Sequence, residues 1–302
     1  MPHRILHLSD THAGATGRDQ HDVDALAALD GLLHDCRHLP NLDLVLVTGD
    51  VADDGSAEGC AAVRERVGRF AASRGIPHVY TTGNHDRRPG FTLALGTGHL
   101  DDTGADVGVM LDGLDGLDGP GGSEGERAAV SMVGGLRVVT LDSLVPGAVH
   151  GVVSRRQLSA LRGLLRDPAP AGTVLALHHP PIHTQSAPWM RPGGLHNRDE
   201  LAEVIAGTDV VAVLCGHFHL QLGGQLAGVP VWVTPGVVTR IDLTAASDVV
   251  RAVRGAGATV VDLGGPFSPS FHVLHARDAE VGQQVYVADP AGFRDGSAGT
   301  GR

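Results

Sequence analysis

Seven side chains of the types that hold divalent metals recur in five short blocks along this 302-residue chain. The blocks read SDTH, TGD, GNHD, LHHPP and CGHFH, and each follows a run of residues typical of a β-strand. Aspartate, asparagine and histidine together suit hard and borderline divalent metals. Seven such ligands are enough for two metals that share one carboxylate, so the pattern predicts a two-metal hydrolase. The candidate ligands are Asp10, His12, Asp50, Asn84, His178, His217 and His219.

The spacing within the blocks predicts how these side chains converge. Asp10 and His12 are separated by one residue, as are His217 and His219. In an extended backbone this alternation places both members of a pair on one side. Glycines precede three of the ligands and permit sharp turns at the strand ends. We expect Asp50 to be the bridge, because a carboxylate has two oxygens and can bind one metal with each.

Such a site has a defined chemistry. Two cations about 3.5–4 Å apart clamp a phosphoryl group and lower the pKa of a bridging water from 15.7 towards about 7. They also neutralise the phosphate oxygens while the leaving oxygen departs in line. His85 follows the candidate ligand Asn84, where it can hydrogen-bond the phosphate or protonate the leaving group. The residues therefore predict in-line attack by a metal-bridging hydroxide on a phosphoester.

Strands and helices alternate in the first part of the chain. Apolar runs predict strands at residues 4–8, 42–47 and 78–82, and helical spacing of apolar residues predicts helices at 24–36 and 57–73. The first three blocks follow these strands, at the sheet edge where open α/β folds place their ligands.

The second part of the chain repeats this pattern less regularly. A hairpin is predicted at residues 128–141, with its turn at Gly134-Gly135, and Ser154 is predicted to cap a helix. The remaining predictions are helices at 154–165 and 199–205 and strands at 173–177, 210–214, 229–234 and 271–275. We predict one catalytic domain over residues 1–290, a flexible Gly/Asp-rich loop at 112–126, and a frayed tail at 291–302.

Composition excludes several classes of partner. Hydrophobic residues make up 42% of the chain and aromatic residues 3%, so the core consists mainly of aliphatic side chains. The net charge of −11 argues against a long nucleic acid, whereas bound cations would still allow a small anionic substrate. Three cysteines without CxxC spacing suit a reducing compartment. The chain opens on a strand and lacks an apolar run of about 18 residues, so we expect a cytoplasmic protein with no membrane partner.

The chain has 18 histidines, and most are expected to be structural. The loop at residues 180–197, which includes Trp189, Met190 and Arg191, is interpreted as a wall of the substrate pocket. Within it His183 and His196 are candidate pocket residues, and Arg18 is a candidate phosphate contact. We interpret as surface or packing residues His3, His7, His34, His38, His99, His150, His272 and His275.

The order DxH, GD, GNHD, HxP, GHxH resembles the calcineurin-like metallophosphoesterase superfamily. The blocks SDTH, LHHPP and CGHFH are most similar to those of bacterial class III cyclic-nucleotide phosphodiesterases. The motifs span residues 10–219, and residues 228–244 are also similar to that subgroup. The resemblance implies an α/β fold, namely a four-layer α/β/β/α sandwich of two mixed sheets. It also implies a homodimer and a cap or dimerisation role for the segment after residue 240.

The resemblance also assigns roles to the candidate residues. His85 would be the catalytic histidine, which is not a ligand, with Asp86 orienting it, and His178 is favoured over His179 as the ligand. Substrate contacts are expected from Asn84, His85 and His196. The metals would be iron with manganese or zinc, or two manganese ions. One metal would be held by Asp10, His12, Asp50 and His219, and the second by Asp50, Asn84, His178 and His217.

The leading hypothesis is a dinuclear-metal-dependent phosphodiesterase that acts on a small phosphodiester, with a 3′,5′-cyclic nucleotide as the first candidate. The same centre would also serve a glycerophosphodiesterase-like enzyme, a phosphomonoesterase or an enzyme that hydrolyses a nucleotide pyrophosphate. The acidic charge disfavours a nuclease. A non-catalytic scaffold on this fold should have lost ligands, whereas this chain retains all of them.

Overall fold

The structure is a computed structural model that describes residues 2–111, 125–246 and 248–290. The predicted loop at 112–126 falls largely, and the predicted tail at 291–302 wholly, outside the described residues. The strands are β1 His3–Leu8, β2 Leu44–Thr48, β3 His78–Thr81, β4 His99–Leu100, β5 Val109–Met110, β6 Ala129–Val133, β7 Leu136–Thr140, β8 Thr173–Ala176, β9 Val210–Cys215, β10 Leu222–Leu226, β11 Val229–Val233, β12 Thr239–Ile241, β13 Val250–Arg254, β14 Gly257–Leu263, β15 Ser270–His275 and β16 Gln284–Ala288.

The helices are α1 Ala25–Asp35, α2 Ala57–Ala72, α3 Arg88–Leu95, α4 Arg155–Leu164, α5 Met190–Gly193 and α6 Arg198–Ile205, with a 3₁₀ turn at Cys36–His38. Side chains cap three of them, since Asp24, Ser56 and Ser154 each accept a hydrogen bond from a first-turn backbone N–H, and Ser154 was predicted to do so. Within the described residues, every helix is too short or too polar to span a lipid bilayer.

Two mixed sheets form the centre of the fold. The first has the order β15-β14-β1-β2-β3-β4, in which β1, β2 and β3 are parallel. The pairs β15–β14, β14–β1 and β3–β4 are antiparallel. The second has the order β10-β11-β9-β8-β7-β6-β5, in which β7, β8, β9 and β11 are parallel. The carboxyl ends of the parallel strands therefore meet at one edge of each sheet.

The two sheets pack face to face, with helices on both outer surfaces. Strand β2 shows why, because all five of its residues are buried and alternate between two cores. Leu44 and Leu46 join the core between the sheets, whereas Val45 and Val47 join the core under α1, α2 and α3. Helices α4, α5 and α6 cover the second sheet in the same way. This arrangement confirms the predicted four-layer α/β/β/α sandwich.

Most of the predicted elements are present within two residues of the expected bounds, but several elements were missed. Helix α3, which carries Pro89 and Gly90 in its first turn, was not predicted. A proline in the first turn is compatible with a helix, and burial of Phe91 and Leu95 stabilises it. The prediction also missed β10, β14 and the third sheet, which has the order β12-β13-β16.

Candidate metal centre

The loops that follow the parallel strands bring the seven candidate ligands together between the two sheets. The first sheet supplies four of them and the second supplies three. One subset surrounds His219, whose Nε2 lies 3.2 Å from His12 Nε2 and 3.3 Å from Asp10 Oδ1. These three side chains point their donor atoms at a common point.

A second subset surrounds His178. Its Nε2 lies 3.2 Å from Asn84 Oδ1, 3.2 Å from His217 Nδ1 and 3.2 Å from Asp50 Oδ2. The two subsets are adjacent, because the same nitrogen is also 3.9 Å from Asp10 Oδ1.

Asp50 lies between the subsets, as expected of a bridge, but it uses its oxygens differently from the prediction. Its Oδ2 is 3.6 Å from His12 Nε2 and 3.2 Å from His178 Nε2, so this one oxygen faces both subsets. Its Oδ1 accepts a hydrogen bond of 2.8 Å from the His85 backbone N–H. A bridge through one oxygen therefore fits the geometry better than a bridge through two.

Hydrogen bonds on the far side of three imidazoles fix their orientation. His178 Nδ1 donates to the carbonyl oxygen of Thr48 at 2.7 Å, and a carbonyl can only accept. In the neutral ring Nε2 is then unprotonated, and its lone pair points at the cluster, as a metal ligand requires. His12 Nδ1 is paired with Asp53 Oδ1 at 2.7 Å and His219 Nδ1 with Thr239 Oγ1 at 2.7 Å. The donor set therefore fits divalent metals.

The backbone at the site differs from the predicted extended chain. Five of the seven candidate ligands have a positive φ: Asp10 56°, His12 42°, Asp50 46°, His217 74° and His219 48°. Side chains with a Cβ rarely adopt this left-handed region, which costs of order 1–3 kcal/mol per residue. The members of each pair share a side because of these turns, so the prediction from strand alternation was wrong. Cross-loop hydrogen bonds hold the turns, among them His12 N–H to Asp50 O at 2.9 Å.

Two glycines allow the loops to approach each other. A Cβ at Gly49, where φ is 83°, would lie 2.8 Å from the Cβ of His178. A Cβ at Gly216 would lie 2.8 Å from Asp10 Oδ2. At both positions a side chain would displace a candidate ligand. Glycine is therefore required here for close packing of the loops, and not only for the sharp turns that the sequence predicted.

The charges in the cluster are strongly coupled. Burial raises the pKa of Asp50, but His178 and His85 outweigh it and hold this pKa well below its usual range. Burial lowers the pKa of His178, but Asp50 and Asp10 outweigh it and raise the value to about 9. Burial and the neighbouring His178 lower the pKa of His217 to about 3. Cations that bind here would therefore displace protons shared between carboxylates and imidazoles.

His85 is positioned by Asp53. Its Nδ1 lies 3.0 Å from the Asp53 carbonyl oxygen and 3.4 Å from Asp53 Oδ1, and its ring meets the His12 ring edge-on at 4.7 Å. The sequence prediction missed Asp53, although a carboxylate three residues after Asp50 was an available signal.

The predicted role of Asp86 in orienting His85 is wrong. The Asp86 carboxylate accepts backbone N–H groups of Val51 at 3.1 Å, Ala52 at 2.9 Å and Gly83 at 2.8 Å. It is committed to these three donors and fixes the loops that carry Asp50 and the GNHD block.

His179 differs from its neighbour His178. It is buried, with Nδ1 2.8 Å from Ser143 Oγ and Nε2 3.1 Å from the Val149 carbonyl oxygen. Although His179 lies close to His178 and His217, both of its ring nitrogens already have partners. This geometry supports the choice of His178 as the ligand.

The loop at residues 180–197 lines the site less than predicted. Trp189 and Met190 are buried in the core of the second sheet. His196 is exposed, stacks on His150 with ring centroids 3.8 Å apart, and places Nε2 3.0 Å from the Pro192 carbonyl oxygen. Arg18, the candidate phosphate contact, forms an exposed ion pair with Asp22.

The histidines expected to be structural divide as predicted. His3, His7 and His99 are buried among packed residues, and His99 bridges Ser131 Oγ at 2.7 Å and Thr140 Oγ1 at 2.9 Å. The exposed members are His34, His38, His272 and His275. Cys215 is buried, and burial raises its pKa well above the usual value, as expected of an inert thiol.

Comparisons with known proteins agree with this geometry. The family model described as calcineurin-like phosphoesterase matches residues 3–221. A probable cyclic nucleotide phosphodiesterase of Rhodococcus erythropolis is 36% identical over 247 residues, which cover 80% of this chain and 73% of that protein. A cAMP/cGMP dual specificity phosphodiesterase of Mycobacterium tuberculosis is 35% identical over 254 residues, covering 83% of this chain and 73% of that one. The 3′,5′-cyclic adenosine monophosphate phosphodiesterase CpdA of Escherichia coli is 30% identical over 238 residues, covering 77% and 75% respectively. As the order of its five motifs predicts, this chain belongs to the calcineurin-like phosphoesterase family.

Proposed function

We propose that this protein is a dinuclear-metal-dependent phosphodiesterase that hydrolyses a 3′,5′-cyclic nucleotide to the nucleoside 5′-monophosphate. The observation that carries the proposal is the convergence of seven donor side chains in two adjacent subsets, with one oxygen of Asp50 facing both. The substrate class is inferred from the three bacterial relatives, which are cyclic-nucleotide phosphodiesterases by name.

The donor spacing supports the assignment of ligands. With metal–nitrogen bonds of about 2.0–2.1 Å, two donors on one ion lie about 3.0–3.4 Å apart. Four neighbouring donor pairs here lie 3.2–3.3 Å apart, and Asp50 Oδ2 lies 3.2 Å from His178 Nε2 and 3.6 Å from His12 Nε2. When bound, the two ions would activate a water molecule and neutralise charge on the phosphoryl oxygens. Iron with manganese, zinc or two manganese ions all suit the donors. One ion would be held by Asp10, His12, Asp50 and His219, and the second by Asp50, Asn84, His178 and His217.

The residues around the ions have distinct tasks in this proposal. Asn84 turns its Oδ1 towards His178, which leaves its amide nitrogen to donate to a phosphate oxygen. Asp53 holds His85 through Nδ1, which leaves Nε2 to act on the substrate. One proton of the attacking water passes to solvent, its oxygen bonds to phosphorus and the bond from phosphorus to the 3′-oxygen breaks. Protonated His85 Nε2 gives the departing 3′-oxygen its proton and is reprotonated from solvent.

The organisation of the whole protein is part of the proposal. We keep the prediction of one domain over residues 1–290, and that of a homodimer formed through the segment after residue 240. A cytoplasmic location is supported by Cys36, Cys60 and Cys215, which are buried and unpaired.

Hydrolysis assays test the substrate class. Bis(p-nitrophenyl) phosphate, p-nitrophenyl phosphate and 3′,5′-cyclic AMP are compared in Mn²⁺, each with and without a chelator. We expect turnover of the diester and of cyclic AMP, and its loss with the chelator. Turnover of the monoester alone would keep the metal centre and overturn the phosphodiesterase assignment. Absence of bound transition metal in protein purified without chelator would instead favour the scaffold alternative.

A further inference from the structure

Two aromatic rings from opposite ends of the chain are stacked on each other, and one of them belongs to a loop that Asp53 anchors. His21 lies in the loop between β1 and α1, and Tyr286 lies on β16 of the third sheet. Their ring centroids are 4.2 Å apart and the planes differ by 21°. His21 is exposed, whereas Tyr286 is half-buried and packs on the core of the second sheet. The tyrosine therefore holds an exposed imidazole in a fixed orientation.

Asp53 connects this stack to the catalytic residues. Its Oδ1 is 2.7 Å from His12 Nδ1, and its Oδ2 accepts the Gln20 backbone N–H at 2.7 Å. Gln20 directly precedes His21, so one carboxylate positions the candidate ligand His12, the catalytic candidate His85 and the loop that carries the stack.

The surroundings of Tyr286 suit contact with a nucleotide. Burial, together with the carboxylates of Asp19, Asp10 and Asp53, raises its pKa to about 12, so its hydroxyl stays protonated as a donor. Among the described residues, no group forms a hydrogen bond with this hydroxyl.

We propose that His21 and Tyr286 form the nucleoside-binding wall of the site, in which the outer face of His21 stacks on the base and the Tyr286 hydroxyl donates to the nucleotide. The inference rests on the proposed function. If His85 protonates the departing 3′-oxygen, the nucleoside lies on the side of His85, and Asp53 places the His21 loop on that side. A purine stacks on any aromatic face, which makes such a wall tolerant of the base.

A second stack, formed by His150 and His196, is less suitable. It adjoins Val149, whose carbonyl oxygen binds His179 next to the His178 subset. In the described part of the chain, neither ring of this stack is hydrogen-bonded to Asp53 or His85.

Four variants test the wall: His21→Ala, Tyr286→Phe, Tyr286→Ala and the control Val287→Ala. Val287 is the next residue on β16 and is 52% exposed. The substrates are cyclic AMP and methyl p-nitrophenyl phosphate, a diester without a nucleoside. Binding of the Rp-phosphorothioate analogue of cyclic AMP is measured by titration calorimetry, and bound metal and thermal melting are recorded for each variant.

We expect His21→Ala to raise the KM for cyclic AMP about 5- to 150-fold, the range for loss of one stacked base. Tyr286→Phe keeps the ring and loses the hydroxyl, so its KM should rise about 2- to 10-fold. Tyr286→Ala should lose both contributions. The dissociation constant of the analogue should follow the same order, while kcat, metal content and the constants for the small diester stay within about twofold.

Two results would overturn the wall while leaving the proposed function intact. One is wild-type kinetics and binding for cyclic AMP in all the His21 and Tyr286 variants. The other is an equal loss with both substrates, which indicates general damage to the site. Wild-type protein that cleaves the small diester but neither binds nor cleaves cyclic AMP would reject the proposed substrate, and the wall with it.

Discussion

Substitution of Asp53 by asparagine gives the sharpest test of how the site is held. The aspartate carboxylate accepts from His12 Nδ1 and from the Gln20 N–H, both at 2.7 Å, and faces His85 Nδ1 at 3.4 Å. Burial raises the pKa of Asp53, but hydrogen bonds from His12 and His85 outweigh burial and hold this pKa well below its usual range. The carboxylate is therefore ionised at neutral pH. Asparagine has the same shape but only one accepting oxygen, and it carries no charge.

The expected loss follows from these contacts. One of the two short hydrogen bonds must be lost, because the amide nitrogen cannot accept. A hydrogen bond to a charged group contributes about 1.5–3 kcal/mol, which corresponds to roughly 12- to 150-fold in kcat/KM. This range overlaps the 10–100-fold effect typical of partners that support metal-bound histidines.

Asp54→Asn is the matched control. Asp54 is the neighbouring carboxylate and also anchors the β1–α1 loop, by accepting the Ala15 N–H at 3.0 Å. Within the described part of the chain it accepts backbone N–H groups of Ala15 and Ser56 and is not hydrogen-bonded to His12 or His85. Both variants are assayed with bis(p-nitrophenyl) phosphate at saturating Mn²⁺, with bound metal measured by mass spectrometry. Asp54→Asn should stay within about twofold of wild type. An Asp53→Asn protein that keeps wild-type kcat/KM and metal affinity would refute the positioning role.

Three further predictions concern the centre itself. Asp50→Ala should lose both metals, because Oδ2 faces both subsets; elemental analysis that still finds two equivalents contradicts the bridge. His85→Ala should keep both metals and lose about 10²–10⁴-fold in kcat, as for removal of a general acid; full turnover removes it from the mechanism. His179→Ala should lose less metal and activity than His178→Ala, because both ring nitrogens of His179 bind protein groups. The reverse order in parallel assays would show that the ligand is His179.

The sequence predicts the identity of the clustered side chains better than the way they are held. Asp10 and His219 are recognisable as ligand types within short motifs that follow apolar strands. Their left-handed backbone is not recognisable, because it results from hydrogen bonds between loops distant in the chain. The incorrect choice of Asp86, rather than Asp53, as the residue that positions His85 has a similar origin. Sequence adjacency favours Asp86, but Gly83 and the loop after Asp50 direct backbone N–H groups at its carboxylate.

The fold shows a comparable division. Strands such as β2 are apolar over nearly their whole length, so their burial in a two-sided layer can be predicted from composition. Strand β14 pairs antiparallel with β1 in the interior of the first sheet, although the two lie at opposite ends of the chain. The pattern of apolar residues within each strand does not show which distant strand it pairs with. Likewise, the stacking of His21 on Tyr286 depends on how the third sheet packs, which no spacing in the sequence encodes.

The distribution of the ligands over the two sheets bears on how the protein is made. Each proposed metal position takes residues from both halves of the chain, since Asp10, His12, Asp50 and Asn84 follow strands of the first sheet and the other three follow strands of the second. A nascent chain that has released only its first hundred residues therefore lacks the histidines needed to complete either position. During synthesis, full coordination of both metals must wait until His219 has left the ribosome. Metal binding would therefore be a late event in folding, which occurs only after both sheets of the sandwich have formed.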